Sequence, residues 1–388
     1  MQPSLPPPHT DRRQRLATIR VERITAAFGF TLVIAAAAAN QPWLDRHFLP
    51  SFFLPRHWYV LIETLVRGAI AAAGASLVLG RSRVANLLTR EPTMTLPVVL
   101  AAVLAIAGGE IALRWILRQP TEWLIRDEEP RRQHDPQLGW VLAPARTGRG
   151  TVAGRSLEYA VDAAGYRVRR ADEPVDPERP TIVFAGESVM FGQGLAWEES
   201  IPAQAGAMVG IQSANLAVHG YSTDQMYLRL VQELPRFQQP VAVVSIFMTE
   251  LFGRNLDDDR PYLGPGLVWH AAEHKSRLMS LAGLLVPYRR DGTVERGVRV
   301  TREVLLATTA LARRHAAKPL VIVPEFGVED DVQRTLRERI LGSDIPTELV
   351  RLDPGWRLPW DRHPNARAAR VIAAAVAARL LPAPLPNH

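Results

Sequence analysis

The chain has 388 residues, no cysteine and a formal charge of +7 at pH 7. That length suits two structural units, and the lack of cysteine excludes disulfides, thiolate nucleophiles and cysteine-ligated zinc. The basic excess lies before residue 133, around apolar blocks, and beyond it acids and bases nearly balance. This distribution fits contact with membrane lipid and argues against nucleic acid, whose binders carry their basic patch on the folded domain.

Residues 1–23 form a basic leader with Arg12, Arg13, Arg15, Arg20 and Arg23. Residues 24–39 (ITAAFGFTLVIAAAAA) carry no charge, 58–80 are apolar apart from Glu63 and Arg67, and 96–117 are apolar apart from Glu110 and Arg114. A spanning helix needs about 20 mostly apolar residues, so residues 24–118 are expected to hold three transmembrane helices. Each acid sits four residues before its arginine, a spacing at which the two neutralise each other on one helix face. A signal peptide followed by two amphipathic helices is the other reading of the same segments. Under the three-span reading the arginine-rich leader is cytoplasmic, and the odd number of spans places the rest of the chain extracytoplasmically, in a periplasm if the cell has one.

Residues 119–180 read as a linker and lead-in, with a Tyr/Gly-rich stretch compatible with a small hairpin. From 181 to 388 short branched apolar runs at Thr181–Ala185, Ile211–Leu216, Val241–Phe247, Pro319–Val323 and Glu348–Leu352 predict buried parallel strands. Helices are predicted between them at about 198–208, 222–235, 298–316, 330–341 and 365–381. The alternation predicts an α/β fold, a three-layer α/β/α sandwich on a parallel sheet, with ligands outside the carboxyl ends of the strands. Residues 253–297, rich in Gly, Pro and charge, read as an insertion that shapes the pocket.

The first predicted strand runs into Gly186-Glu187-Ser188. A serine there can face a substrate, but such a serine is also a common helix cap, and as a nucleophile it needs a base. Asp361-Arg362-His363-Pro364 supplies one: His363 can accept the serine proton while Asp361 orients the imidazole, on a loop that Pro364 keeps from being helical.

Gly186-Glu187-Ser188 resembles the Gly-Asp-Ser block of the SGNH/GDSL hydrolases, and Asp361-Arg362-His363-Pro364-Asn365 resembles their C-terminal block. The segment Asn215 to Gln225 (NLAVHGYSTDQ) is similar to the family's middle block, whose glycine, here Gly220, gives a backbone N–H to the oxyanion hole. The blocks fall in family order over roughly residues 181–383. The resemblance implies a flavodoxin-like fold, no cofactor or metal, a Ser188–His363–Asp361 triad, and acyl-ester chemistry in a membrane-anchored form that acts on acylated cell-surface carbohydrate.

Two positions depart from the family pattern. Glu187 stands where the family has aspartate and is expected to support the turn. Thr249 stands where an asparagine side chain is expected in the oxyanion hole, so Ser188, Gly220 and Thr249 are the expected donors, with Asn255 as a substitute. Losing such a donor costs about 10²–10³ in rate. Two functions follow. One is a serine esterase or acyltransferase acting on a small ester or an extracytoplasmic glycan or glycolipid. The other is a decayed binding protein that serves as a partner in a surface-polysaccharide complex.

Overall fold

The computed structural model describes residues 8–40, 43–44, 56–90, 95–116, 128–273, 276–280, 289–359 and 361–381. It divides into two compact units. One holds Met1–Phe48, Leu54–Leu117 and Ser276–Pro287, and the other holds Leu49–Phe53, Arg118–Lys275 and Tyr288–His388.

The first unit is helical: α1 (Pro8–Ala38), α2 (Arg56–Leu79), α3 (Arg81–Arg90) and α4 (Thr95–Ile116). Helices α1 and α2 touch through Gly29 and Gly74, where a Cβ on either would lie 2.6 Å from the other's carbonyl oxygen, so only glycine permits the approach. Arg67 Nε donates to the Ala36 carbonyl at 3.2 Å. Arg114 does pair with Glu110, at 3.2 Å. Among the described residues, two stretches, Arg15–Ala38 and Val60–Leu79, are long and apolar enough to cross a membrane. Two of the three expected spans fall in these stretches. The third segment is helical as α4, but it is not one of these two, and its Glu110 carboxylate accepts the backbone N–H groups of Arg277 and Leu278 at 2.9 and 3.0 Å. Ser276–Pro287, read from sequence as part of a pocket-shaping insertion, thus groups with the helical unit.

The second unit opens with a hairpin of β1 (Arg132–Asp135) and β2 (Gly139–Leu142). Its sheet contains β3 (Arg146–Val152), β4 (Arg155–Val161), β5 (Arg167–Val168), β6 (Thr181–Ala185), β7 (Gln212–Asn215), β8 (Pro240–Ile246), β11 (Lys318–Phe326) and β12 (Thr347–Leu352), while β9 (Tyr262–Leu263) and β10 (Trp269–His270) form a separate hairpin. Strand order in the large sheet is β12-β11-β8-β6-β7-β5-β4-β3, with β12 to β7 parallel and the last three antiparallel. The lead-in, expected as a small hairpin, supplies that antiparallel extension.

Strand residues alternate between two cores, because successive side chains point to opposite faces. Ile182, Phe184, Val244 and Ile322 pack with Ile201 and Ala205 of helix α6 (Ile201–Val209) and Ile372 and Val376 of α10 (Ala366–Leu380). Val183, Ala185, Val243 and Val321 pack with Leu230 of α7 (Thr223–Glu233), Val298 and Leu305 of α8 (Asp291–Arg314) and Ile340 of α9 (Asp331–Leu341). Helices therefore cover both faces. In the parallel part the central strand β6 lies between β7 and β8, where the strand order reverses, and that is the place where such sheets bind ligands.

Candidate active site

Ser188 begins the four-residue helix α5 (Ser188–Phe191) three residues beyond β6. Its neighbour Glu187 caps that helix by accepting the Val189 N–H at 3.0 Å. The same Glu187 Oε2 accepts the Ser188 hydroxyl at 2.6 Å. The residue expected only to support the turn therefore also touches the Ser188 hydroxyl. On its other side Ser188 Oγ lies 2.8 Å from His363 Nε2. The hydroxyl has one proton and two acceptors within reach.

His363 is brought to Ser188 by a loop tied at several points. Its carbonyl accepts the Leu358 N–H at 2.7 Å, Trp356 accepts the Asn365 N–H at 3.0 Å, and Arg357 bridges to Pro364. Arg357 stacks over Phe326 at 3.9 Å, pairs with Glu250 at 3.0 Å and donates to the Arg362 carbonyl at 2.8 Å. Asn365 caps α10 by accepting the Ala368 N–H at 3.0 Å. His363 Nδ1 is hydrogen-bonded to Asp361 Oδ1, which also accepts the His363 backbone N–H at 3.3 Å. Burial alone would raise the Asp361 carboxyl, but the hydrogen bonds from His363 and its charge outweigh this and hold it below the usual carboxylate range.

Gly220 lies in the loop after β7, with a φ of 86° that favours glycine. The loop runs beside the Ser188 turn, since the Val218 N–H donates to the Gly186 carbonyl at 3.2 Å. Among the described residues, no protein acceptor takes the N–H of Ser188 or of Gly220, so both are available to an oxyanion. Thr249 is buried at the start of the 3₁₀ stretch Thr249–Leu256. It lines a cleft with Val323, Glu325 and Phe326, whereas Gly186 and Glu187 line a different small cavity. Asn255 is unavailable as the substitute donor. Its amide N–H groups go to Thr223 Oγ1 at 2.9 Å and Thr301 Oγ1 at 3.0 Å, and its oxygen accepts the Thr223 N–H at 2.9 Å.

No family model matches the chain, and no curated protein does. Solved structures similar to it include a member of the lipolytic protein G-D-S-L family from Veillonella parvula, at 13% identity over 50% of this chain and 94% of that one, with a TM-score of 0.31. An acetyl xylan esterase from Butyrivibrio proteoclasticus matches at 10% identity over 54% and 65%, with a TM-score of 0.32. A carbohydrate esterase whose active site displays divergent catalytic and non-catalytic binding functions matches at 11% identity over 54% and 70%, with a TM-score of 0.33. At these scores the likeness carries no chemistry to this chain.

Sequence reasoning missed two buried side chains at the site. Arg167, one of the charges in the run YRVRR, donates to the carbonyls of Gly192 and Leu195 at 2.8 and 2.7 Å and so holds the turn that follows α5. Its guanidinium lies over the rings of Tyr159 and Phe191, and burial lowers its pKa to about 10, which leaves it charged. His219 is buried with neither ring nitrogen hydrogen-bonded. Burial, and then the charges of Arg132, His363 and Arg254, push its pKa well below the ordinary imidazole value, so it stays neutral.

Proposed function

We propose that the chain is a membrane-anchored serine esterase or acyltransferase acting on acyl, most simply acetyl, esters of an extracytoplasmic glycan or glycolipid. The observation that carries this reading is the contact chain from Ser188 Oγ to His363 Nε2 at 2.8 Å and from His363 Nδ1 to Asp361. In this reading Ser188 attacks the ester carbonyl as His363 takes its proton. Asp361 holds the imidazole with Nε2 facing the serine and stabilises the imidazolium that forms. The N–H groups of Ser188 and Gly220 bind the oxyanion, with the Thr249 hydroxyl as a candidate third donor. His363 then protonates the leaving alcohol, and water or a sugar hydroxyl releases the acyl group. The exposed apolar surface of the N-terminal helices, with Leu65 63% and Ile34 65% exposed, supports a lipid environment for that unit.

A second reading, a binding protein with a decayed site, draws on Thr249, whose hydroxyl makes no hydrogen bond to Ser188 or Gly220. Acetate release from p-nitrophenyl acetate and from an O-acetylated oligosaccharide, compared between wild type and Ser188→Ala, separates the two. The enzyme reading requires release that Ser188→Ala abolishes, and the binding reading requires oligosaccharide affinity without release.

A further inference from the structure

Two side chains distant in sequence hydrogen-bond the peptide units that flank Gly220. The Trp140 indole Nε1 donates to the His219 carbonyl at 3.1 Å, and Arg260 Nη1 donates to the Gly220 carbonyl at 2.6 Å. These two carbonyls belong to the peptide units on either side of the Gly220 Cα. The Arg260 guanidinium also lies over the Trp140 ring, 5.7 Å from its centroid. Both residues are buried, Trp140 at 1% and Arg260 at 6% exposure.

We propose that Trp140 and Arg260 are positioning residues that aim the Gly220 N–H into the oxyanion hole. The inference rests on the esterase reading of the site. In a trans peptide the C=O and N–H point in opposite directions. When Trp140 grips the His219 carbonyl, the Gly220 N–H in the same peptide unit is turned away from the indole. Arg260 fixes the next peptide unit, so the φ and ψ of Gly220 are held from both sides. Without these grips glycine would be the freest residue in the loop. A Cβ at position 220 would lie 3.2 Å from Trp140 Cζ2, which shows how closely the indole covers this turn. Trp140 comes from β2 of the first hairpin and Arg260 from the insertion, so two segments outside the parallel sheet complete the site.

The hairpin is fastened here by other bonds too. Tyr221 donates its hydroxyl to the Trp140 carbonyl at 2.6 Å, and Gln225 Nε2 donates to the Leu138 carbonyl at 2.7 Å. These bonds hold the hairpin in place without touching the His219–Gly220 peptide, which makes Tyr221→Phe the matched structural control.

The test uses the full chain in detergent and three readouts: kcat, KM and the affinity of phenylboronic acid, whose serine adduct places an oxygen in the oxyanion hole. Removing an oxyanion donor costs roughly 10²–10³ in rate, and misaiming one loses part of that. Trp140→Phe keeps the ring and loses the N–H. It should lower kcat by about tenfold or more, leave KM within about twofold, and weaken boronate binding by the factor lost from kcat. Tyr221→Phe should lower the melting temperature and leave kcat within about twofold. Arg260→Lys keeps the charge but not the reach, and it should repeat the kcat-only loss, which keeps the test open if Trp140→Phe does not fold. Unchanged kcat and boronate affinity in Trp140→Phe or in Arg260→Lys, against an active wild type, overturn this inference alone. A wild type with neither ester turnover nor fluorophosphonate labelling overturns the esterase reading, and this inference with it.

Discussion

If the proposed esterase chemistry holds, Glu187→Asp should raise ester turnover. Ser188 Oγ donates to Glu187 Oε2 at 2.6 Å while His363 Nε2 waits at 2.8 Å. For catalysis the proton must point at His363. Shortening the acid by one methylene withdraws the acceptor by about 1.5 Å, which takes it out of hydrogen-bond range of the hydroxyl. Aspartate is itself a favoured N-cap, so the bond to the Val189 N–H has a replacement and α5 keeps its start. A hydrogen bond to a charged acceptor is worth about 1.5–3 kcal/mol and one to a neutral acceptor about 0.5–1.5. Redirecting the hydroxyl from Glu187 to His363 therefore costs about 1 to 1.5 kcal/mol, close to tenfold in rate. Turnover of p-nitrophenyl acetate should rise by about that factor with KM little changed, and Glu187→Gln, a neutral acceptor of the same reach, should fall between. Melting curves on the same samples control for folding. If both variants are slower than wild type at unchanged melting temperature, Glu187 is assisting proton transfer and the reasoning fails.

Ser188→Ala and His363→Ala should each abolish ester turnover without unfolding the chain, whereas Asp361→Asn should slow it by about 10⁴-fold, the cost of the wrong imidazole tautomer; near-normal rates in Asp361→Asn would remove the orienting role. Thr249→Asn should raise kcat by up to ~10²-fold if the family donor is restored, and Thr249→Val should lower it if the hydroxyl serves now; equal rates in all three would leave the backbone donors alone. Two buried groups should shape stability against pH. Burial pushes the Asp224 carboxyl up to about 7, against the opposing pull of the Leu263 N–H and Arg260. Its folded pKa is raised, so the stability it gives is complete below the ordinary aspartate range and is lost as pH rises through about 7; Asp224→Asn should remove that decline in melting temperature. His219 is shifted the other way, so its contribution is present above the ordinary imidazole value and is lost as pH falls below it, a loss that His219→Asn should abolish. A C-terminal reporter active only in the cytoplasm should stay silent if residues 133–388 are extracytoplasmic, and a positive signal would remove the glycan reading with the orientation.

The parallel strands were legible because a strand buried on both faces leaves an unbroken apolar run, and Thr181–Ala185 is found with the bounds the run gave. Helix α8 begins at Asp291, seven residues before its predicted start at 298. Gly292 and Gly297 masked its helical pattern, although Val294, Val298, Thr301 and Leu305 mark a buried face at helical spacing. Ser188, His363 and Asp361 could be named because each motif is local. The Glu187 contact could not, since one methylene of reach and a side-chain rotamer decide it. Nothing local marks Arg167 in the run YRVRR, and only the fold shows the three backbone carbonyls it serves. Trp140 and Arg260 lie 79 and 40 residues from the carbonyls they grip, separations at which no motif operates.

If Ser188 is a nucleophile activated by His363, a serine-directed covalent reagent must attach to it. The full-length chain in detergent is treated with a fluorophosphonate, digested and mapped by mass spectrometry. One phosphonylated residue is expected, Ser188, with the adduct strongly reduced in His363→Ala. An unmodified Ser188 in folded protein, or an adduct on a different serine, would contradict it.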